Sequence, residues 1–162
     1  MISAGTFWRT VISGFIATFI MAMVSFLQGG LGLPTIDIAY LIDQGLNHVH
    51  GQEVYSMTWA NIAYINGGIL MALFWVVFLQ KRVPGNWIVQ GIIYGILISL
   101  FSGLIVGPLV SAAAGDSFGL FYTDTWIPGK ILLAGLIMHL SYGLTLALCL
   151  NVAGVKGIEQ VN

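Results

Sequence analysis

Apolar residues run along this chain in four long stretches, and charge is what separates them. Lys, Arg, Asp and Glu are absent from the windows 10–36, 54–80, 83–115 and 131–155 and gather at the boundaries between them. A helix of about 20 apolar residues spans the hydrocarbon core of a bilayer, so each window is long enough to cross. Backbone amides in lipid must pair within the segment or around a closed barrel, and these uniformly apolar runs lack the alternation of barrel strands. The pattern predicts an all-α fold: a polytopic, four-transmembrane-helix antiparallel bundle in one domain over 1–162, with spans at about 7–31, 57–79, 87–111 and 130–154.

Polar punctuation between the spans supports these limits. The first ends at "GGLGLP", where glycines and Pro34 stop a helix. In "TIDIAYLIDQGLN", Asp37, Tyr40, Gln44 and Asn47 share one helical face and Ile38, Leu41 and Ile42 the other, which predicts a short outer interfacial helix over about 35–47. "QKRVPGNW" reads as a tight turn, and short connections make successive helices antiparallel neighbours. Trp8, Trp59, Trp87 and Trp126 fall near predicted interfaces, where amphipathic rings settle. The first apolar run is longer than the core of a cleaved signal peptide and offers no small-x-small site, so it is expected to be retained.

Composition narrows the picture further. Hydrophobic residues make up 58% of the chain and charged ones only 7%, against roughly a quarter in soluble domains. Arg9, Lys81, Arg82 and Lys156 fall on one predicted side and Lys130 on the other; because basic loops stay cytoplasmic, both termini are expected there. Asp37, Asp43, Glu53, Asp116 and Asp124 then face outward, so a net charge of -1 conceals two faces of opposite sign. The single Cys149 excludes an intrachain disulfide, a CxxCH haem attachment and a multi-cysteine zinc site. No phosphate-binding glycine loop and no basic patch for nucleic acid is present.

Small residues recur at every fourth position in the last two spans: Gly91, Gly95, Ser99, Gly103 and Gly107 in the third, and Gly135, His139, Gly143 and Ala147 in the fourth. Lipid tails are as apolar as leucine, so membrane helices associate through close backbone approach, which such stripes permit. The two helices are expected to pack face to face, with His139 turned inward. Counting about 1.5 Å of rise per residue puts Asn66, Ser102 and His139 each about 14 Å from an end of their spans. Ser25 falls at a similar level, which predicts a polar layer at the midplane formed by Ser25, Asn66, Ser102 and His139.

Two readings of His139 follow. A neutral imidazole bonded to Asn66, Ser102 or a backbone carbonyl would fix helix register. Alternatively His139 binds haem b or a quinone between the third and fourth spans, with Met21, Met23 or Met71 available as a second axial ligand. A transporter is a further alternative, although carriers usually keep a carboxylate in the membrane and none falls inside these spans. In the outer loop, His48 and His50 of "NHVHG" would chelate a metal if the chain there were extended, and diverge on a helix. No nucleophile and base pair is visible.

The segments "FWRTVISGFIATFIM", "GLGLPTIDIAYLI", "SGLIVGPLVSAAAG" and "MHLSYGLTLAL" resemble an uncharacterised family of small bacterial four-helix integral membrane proteins, over nearly the whole chain. The resemblance implies the fold and a place in the bacterial cytoplasmic membrane, and brings no reaction with it. Family members often carry a histidine early in the second helix, where this chain has Tyr64. The expectation is a non-catalytic accessory or structural subunit of a larger bacterial membrane complex, in a respiratory or electron-transfer context. Its partners would be the bilayer, bound lipid and other integral membrane subunits, with no nucleic acid and no resident cofactor.

Overall fold

A computed structural model describes residues 2–50, 57–113 and 128–157. These residues form six α-helices and, among them, no strand: α1 (Ala4–Gly29), α2 (Ile38–His50), α3 (Met57–Phe74), α4 (Trp87–Phe101), α5 (Gly107–Ala113) and α6 (Pro128–Val152). A π-helical turn, Trp75–Leu79, extends α3, and another, Ser102–Val106, joins α4 to α5. Four stretches are long and apolar enough to cross a membrane, Ala4–Gly29, Met57–Leu79, Trp87–Val110 and Gly129–Val152. This is the construction of a multi-pass membrane protein.

Local chemistry sets the helix ends. Ser3 caps α1 by accepting from the Thr6 N–H. The first turn of α2 is capped by Asp37, whose carboxylate accepts from the Tyr40 N–H at 3.0 Å; the helix therefore begins after Asp37, later than its amphipathic pattern suggests. Asn86 caps α4 by accepting from the N–H groups of Ile88 and Val89. The third span is not one uniform α-helix. Pro108 has no N–H to donate, and the ladder shifts register just before it: the Gly107 N–H donates to the Ser102 carbonyl, five residues back. Behind α6, Gly154 at φ 67° donates to Asn151 and the Val155 N–H reaches back to the Leu150 carbonyl. That pair of bonds is a Schellman cap, completed by the buried Val155 against buried Leu150.

The most extensive helix packing is that of α4 with α6, α1 with α6, and α1 with α3. At the α4–α6 seam a Cβ added to Gly91 would lie 2.8 Å from the Leu144 Cα, and one added to Gly95 2.8 Å from the Leu140 Cα. A Cβ on Gly143 would collide with the Gly91 carbonyl and the Gly95 backbone. Contacts thus run in opposite order along the two helices. A second seam joins α1 to α3, where Gly14 meets Ala72 and Gly68 meets Thr18. Between α3 and α4 the contact is aromatic: the Trp75 and Tyr94 rings lie 4.4 Å apart, and Tyr94 lies 6.3 Å from Tyr142 of α6.

Polarity is arranged opposite to that of a soluble protein. The buried stripe of α1 is small and polar, with Thr10, Gly14, Ala17, Thr18 and Ser25, whereas Ile12, Phe15, Phe19 and Phe26 are exposed. Such an outer surface fits hydrocarbon, and an inner one of small residues fits close helix approach. The basic residues sort by end. Arg9 donates to the Ala153 carbonyl, and Lys81 and Lys156 line one cleft; at the opposite end Lys130 donates to the Gly32 carbonyl.

Gly143→Ala forces two backbones apart and is expected to lower stability in detergent by about 3 kcal/mol. Gly5→Ala, where an added Cβ meets nothing within 4 Å, should change it by less than about 0.5 kcal/mol. Thermal unfolding of both variants checks this; equal melting temperatures would dissolve the seam.

Candidate functional site

The polar groups inside the bundle bond mainly to backbone carbonyls. His139 is buried, and its Nδ1–H donates to the Gly135 carbonyl of its own helix at 2.6 Å. A carbonyl only accepts, so that bond puts a proton on Nδ1; in a neutral imidazole Nε2 is then the acceptor. Tyr142 donates to the Gly68 carbonyl at 2.6 Å and Tyr94 to the Met71 carbonyl at 2.5 Å, so two phenols from α6 and α4 grip α3. Thr18 donates to the Gly14 carbonyl within α1. The Ser25 hydroxyl donates to the Ile36 carbonyl at 2.7 Å and accepts from the Ile36 N–H at 3.0 Å, which ties α1 to the segment leading into α2.

The residues of the expected midplane layer are thus placed differently from one another. Ser25 and His139 are buried, each bonded to backbone; Ser102 is half-buried in the π turn; Asn66 is exposed on the outside of α3. No hydrogen bond joins two of them among the described residues. Residue counting gives the height of a side chain along a helix, and its bearing around the axis depends on which face packs.

The small-residue stripes are close-packed over part of their length. Gly91, Gly95 and Gly143 form the contact, with the His139 carbonyl 2.9 Å from a Cβ built on Gly95. Ser99 and Gly103 are half-buried beyond it. Gly107 would meet only the Ser102 carbonyl of its own span, and Gly135 only the Ile36 side chain at 3.9 Å. Cofactor insertion between α4 and α6 at the level of His139 would require the two backbones to part. The α1–α3 seam lies outside the stripes expected from the last two spans, although Gly14 with Thr18, and Gly68 with Ala72, carry the same spacing of four.

His48 lies exposed on α2, whose helical backbone continues through His50. Residues two apart on a helix point about 200° apart, not side by side. Among the described residues no three His, Cys, Asp or Glu side chains gather as a metal site requires. The side chain of His50, and Glu53, Asp116, Asp124 and Trp126, lie outside the described residues.

No protein-family model, no curated protein and no solved structure matches this chain.

Since His139 bonds within α6 and Asn66 faces away from the interior, His139→Leu is expected to cost about 1 kcal/mol, the net worth of one hydrogen bond. Combined with Asn66→Leu, its effect should add within about 0.5 kcal/mol. A double-mutant cycle on detergent unfolding measures this; a coupling above about 1 kcal/mol would mean that the two side chains meet.

Proposed function

We propose that this chain is a non-catalytic, helix-packing subunit of a larger assembly in the bacterial cytoplasmic membrane, the role suggested by its resemblance to small four-helix membrane proteins. It crosses as an antiparallel bundle with both termini cytoplasmic, which sets the cluster of Arg9, Lys81, Arg82 and Lys156 on the side where basic residues are retained. On this reading α2, between the first two spans, lies on the outer surface.

One observation carries the reading. Asn66 sits nine residues into a 23-residue span and is exposed on the outer face of α3. A carboxamide in hydrocarbon without a partner costs several kcal/mol. Beside it Ala63 and Gly67 are also exposed, and a Cβ added to Gly67 meets nothing within 4 Å. A polar group at mid-span next to a notch of small residues is how one membrane helix receives another, through backbone approach and an interhelical hydrogen bond. The occupant is a transmembrane helix of a partner subunit carrying a donor or acceptor at the same depth. The haem or quinone alternative rests on His139, whose surroundings are the closed α4–α6 seam.

A photo-crosslinking residue at Leu70, exposed on this same face, tests the proposal in native membranes. The expected product is an adduct with a distinct integral membrane protein, reduced about tenfold by Asn66→Leu, a loss of about 1.4 kcal/mol. Adducts with lipid only, or only between two copies of this chain, would overturn the accessory role. A Soret band in the purified protein would overturn the non-catalytic one.

A further inference from the structure

The third span has different neighbours at its two ends. Its first part, α4, lies on α6, where Gly91 and Gly95 bring the backbones together. Its last part, α5, packs on α2, and among the described residues neither α5 nor the π turn before it packs extensively on α6. The small-residue stripe divides in the same way. A Cβ on Gly95 would press on the Leu140 Cα at 2.8 Å, whereas one on Gly107 would meet only the Ser102 carbonyl of its own span, at 3.1 Å. A helix that changes partner partway along needs a joint.

The π turn is that joint. The Gly107 N–H donates to the Ser102 carbonyl, and Pro108 has no N–H. The Gly103 carbonyl would take its ladder bond from residue 107 in an α-helix and from residue 108 in a π-helix, so it receives neither. One ladder bond fewer, with glycine at 103 and 107, leaves little to resist bending. Kinks and hinges of long helices concentrate at such places.

What moves with α5 follows from α2. It packs on both α3 and α5, which do not pack extensively on each other, and so stands between them as a wedge. Its leading end is tethered to α1, because Ser25 exchanges hydrogen bonds with the Ile36 backbone and Gln28 donates to the Pro34 carbonyl. Farther along, Asp43 keeps Oδ1 buried without a partner among the described residues. A carboxylate oxygen so enclosed gains hydration when the helix that carries it moves out. Nearer the Trp87 end the same two spans are clamped, with Tyr94 donating to the Met71 carbonyl and the Trp75 ring packed on that of Tyr94.

We infer that α5 and α2 swing together about the Ser102–Val106 turn while α4 stays on α6, parting α3 from the third span at the Lys130 end. The third span is thus a fixed half and a hinged half, and α2 is the wedge that closes the gap between α3 and α5. Open, the gap faces the bilayer from the side; closed, it is the packing described above.

Pulsed electron paramagnetic resonance distances on the full chain in lipid nanodiscs test the hinge, with Cys149→Ser removing the native thiol. One spin-label pair is placed by Phe26→Cys with Leu109→Cys, both exposed positions toward the Lys130 end, and a second by Ile12→Cys with Ile88→Cys, both exposed toward the other end. Two distance populations are expected for the first pair and one for the second. Pro108→Ala returns the missing N–H and should reduce the population that departs from the closed distance about fivefold, the worth of one hydrogen bond. An unchanged second pair shows that the variant keeps its fold. A single population at the first pair, two populations at both pairs, or a second population that Pro108→Ala leaves as it was would overturn the hinge.

Discussion

The contact on which the other packing depends is that of two backbones, α4 and α6, touching at Gly91, Gly95 and Gly143. Within a bilayer no hydrophobic gain accompanies helix association, because a leucine facing lipid is as well solvated as one facing protein. What holds helices together is the dispersion gained when backbones come near enough for many atoms to touch, with hydrogen bonds that proximity makes possible. This seam brings Tyr94 and Tyr142 side by side, so that both hydroxyls reach carbonyls of α3, and the Trp75 ring packs on that of Tyr94. A side chain in place of Gly143 would move more than one pair of residues: it would withdraw both phenols from the helix they hold.

The same logic explains why the interior is the more polar part of the molecule. Helical carbonyls keep a second lone pair after making their ladder bond, and in this bundle Thr18, Tyr94, Tyr142 and His139 each use one, while Ser25 uses the carbonyl of Ile36 just before α2. Such bonds need no matching side chain on the neighbouring helix. They hold even where the partner offers only glycine and alanine, and this lets small-residue seams and polar groups share one face. His139 is the clearest instance: it lies at a close-packed seam and still satisfies its proton within its own helix.

How far the chain could be read in advance follows from this. Charge-free windows place the four spans because transfer of charge into hydrocarbon is costly at every position of a helix. The α4–α6 seam was legible because spacing by four marks one face whatever lies opposite. Less legible were features that depend on rotation. Asn66 and His139 have similar depths, yet one faces outward and the other inward, and no count of residues separates them. The α1–α3 seam is less legible, since its members are split between Gly14 with Thr18 on one helix and Gly68 with Ala72 on the other. Pro108 was visible, but its effect, a π turn five residues long rather than a kink or a stop, depends on which carbonyl the displaced Gly107 N–H finds.

An accounting of unsatisfied polar atoms separates the ends of the bundle from its middle. The buried acceptors without a partner among the described residues are Gln28 Oε1, Asp43 Oδ1 and Gln80 Oε1. Gln28 is next to the last residue of α1, Asp43 lies on α2 beyond it, and Gln80 follows the π turn after α3. Gln28 and Gln80 sit at the ends of their spans and Asp43 midway along α2, outside the four spans, where water meets an orphan acceptor cheaply. Asn66 is different in kind. It is the side-chain amide at mid-span among the described residues, and it is exposed where a span crossing a bilayer would lie beyond the reach of water. A chain whose interior phenols and imidazole are satisfied from backbone carbonyls has left this amide exposed on the outside of α3, next to Gly67, where an added Cβ meets nothing within 4 Å. On the proposed reading, the physical requirement that this amide be met is what would turn the outer face of α3 from a lipid surface into a surface for another helix.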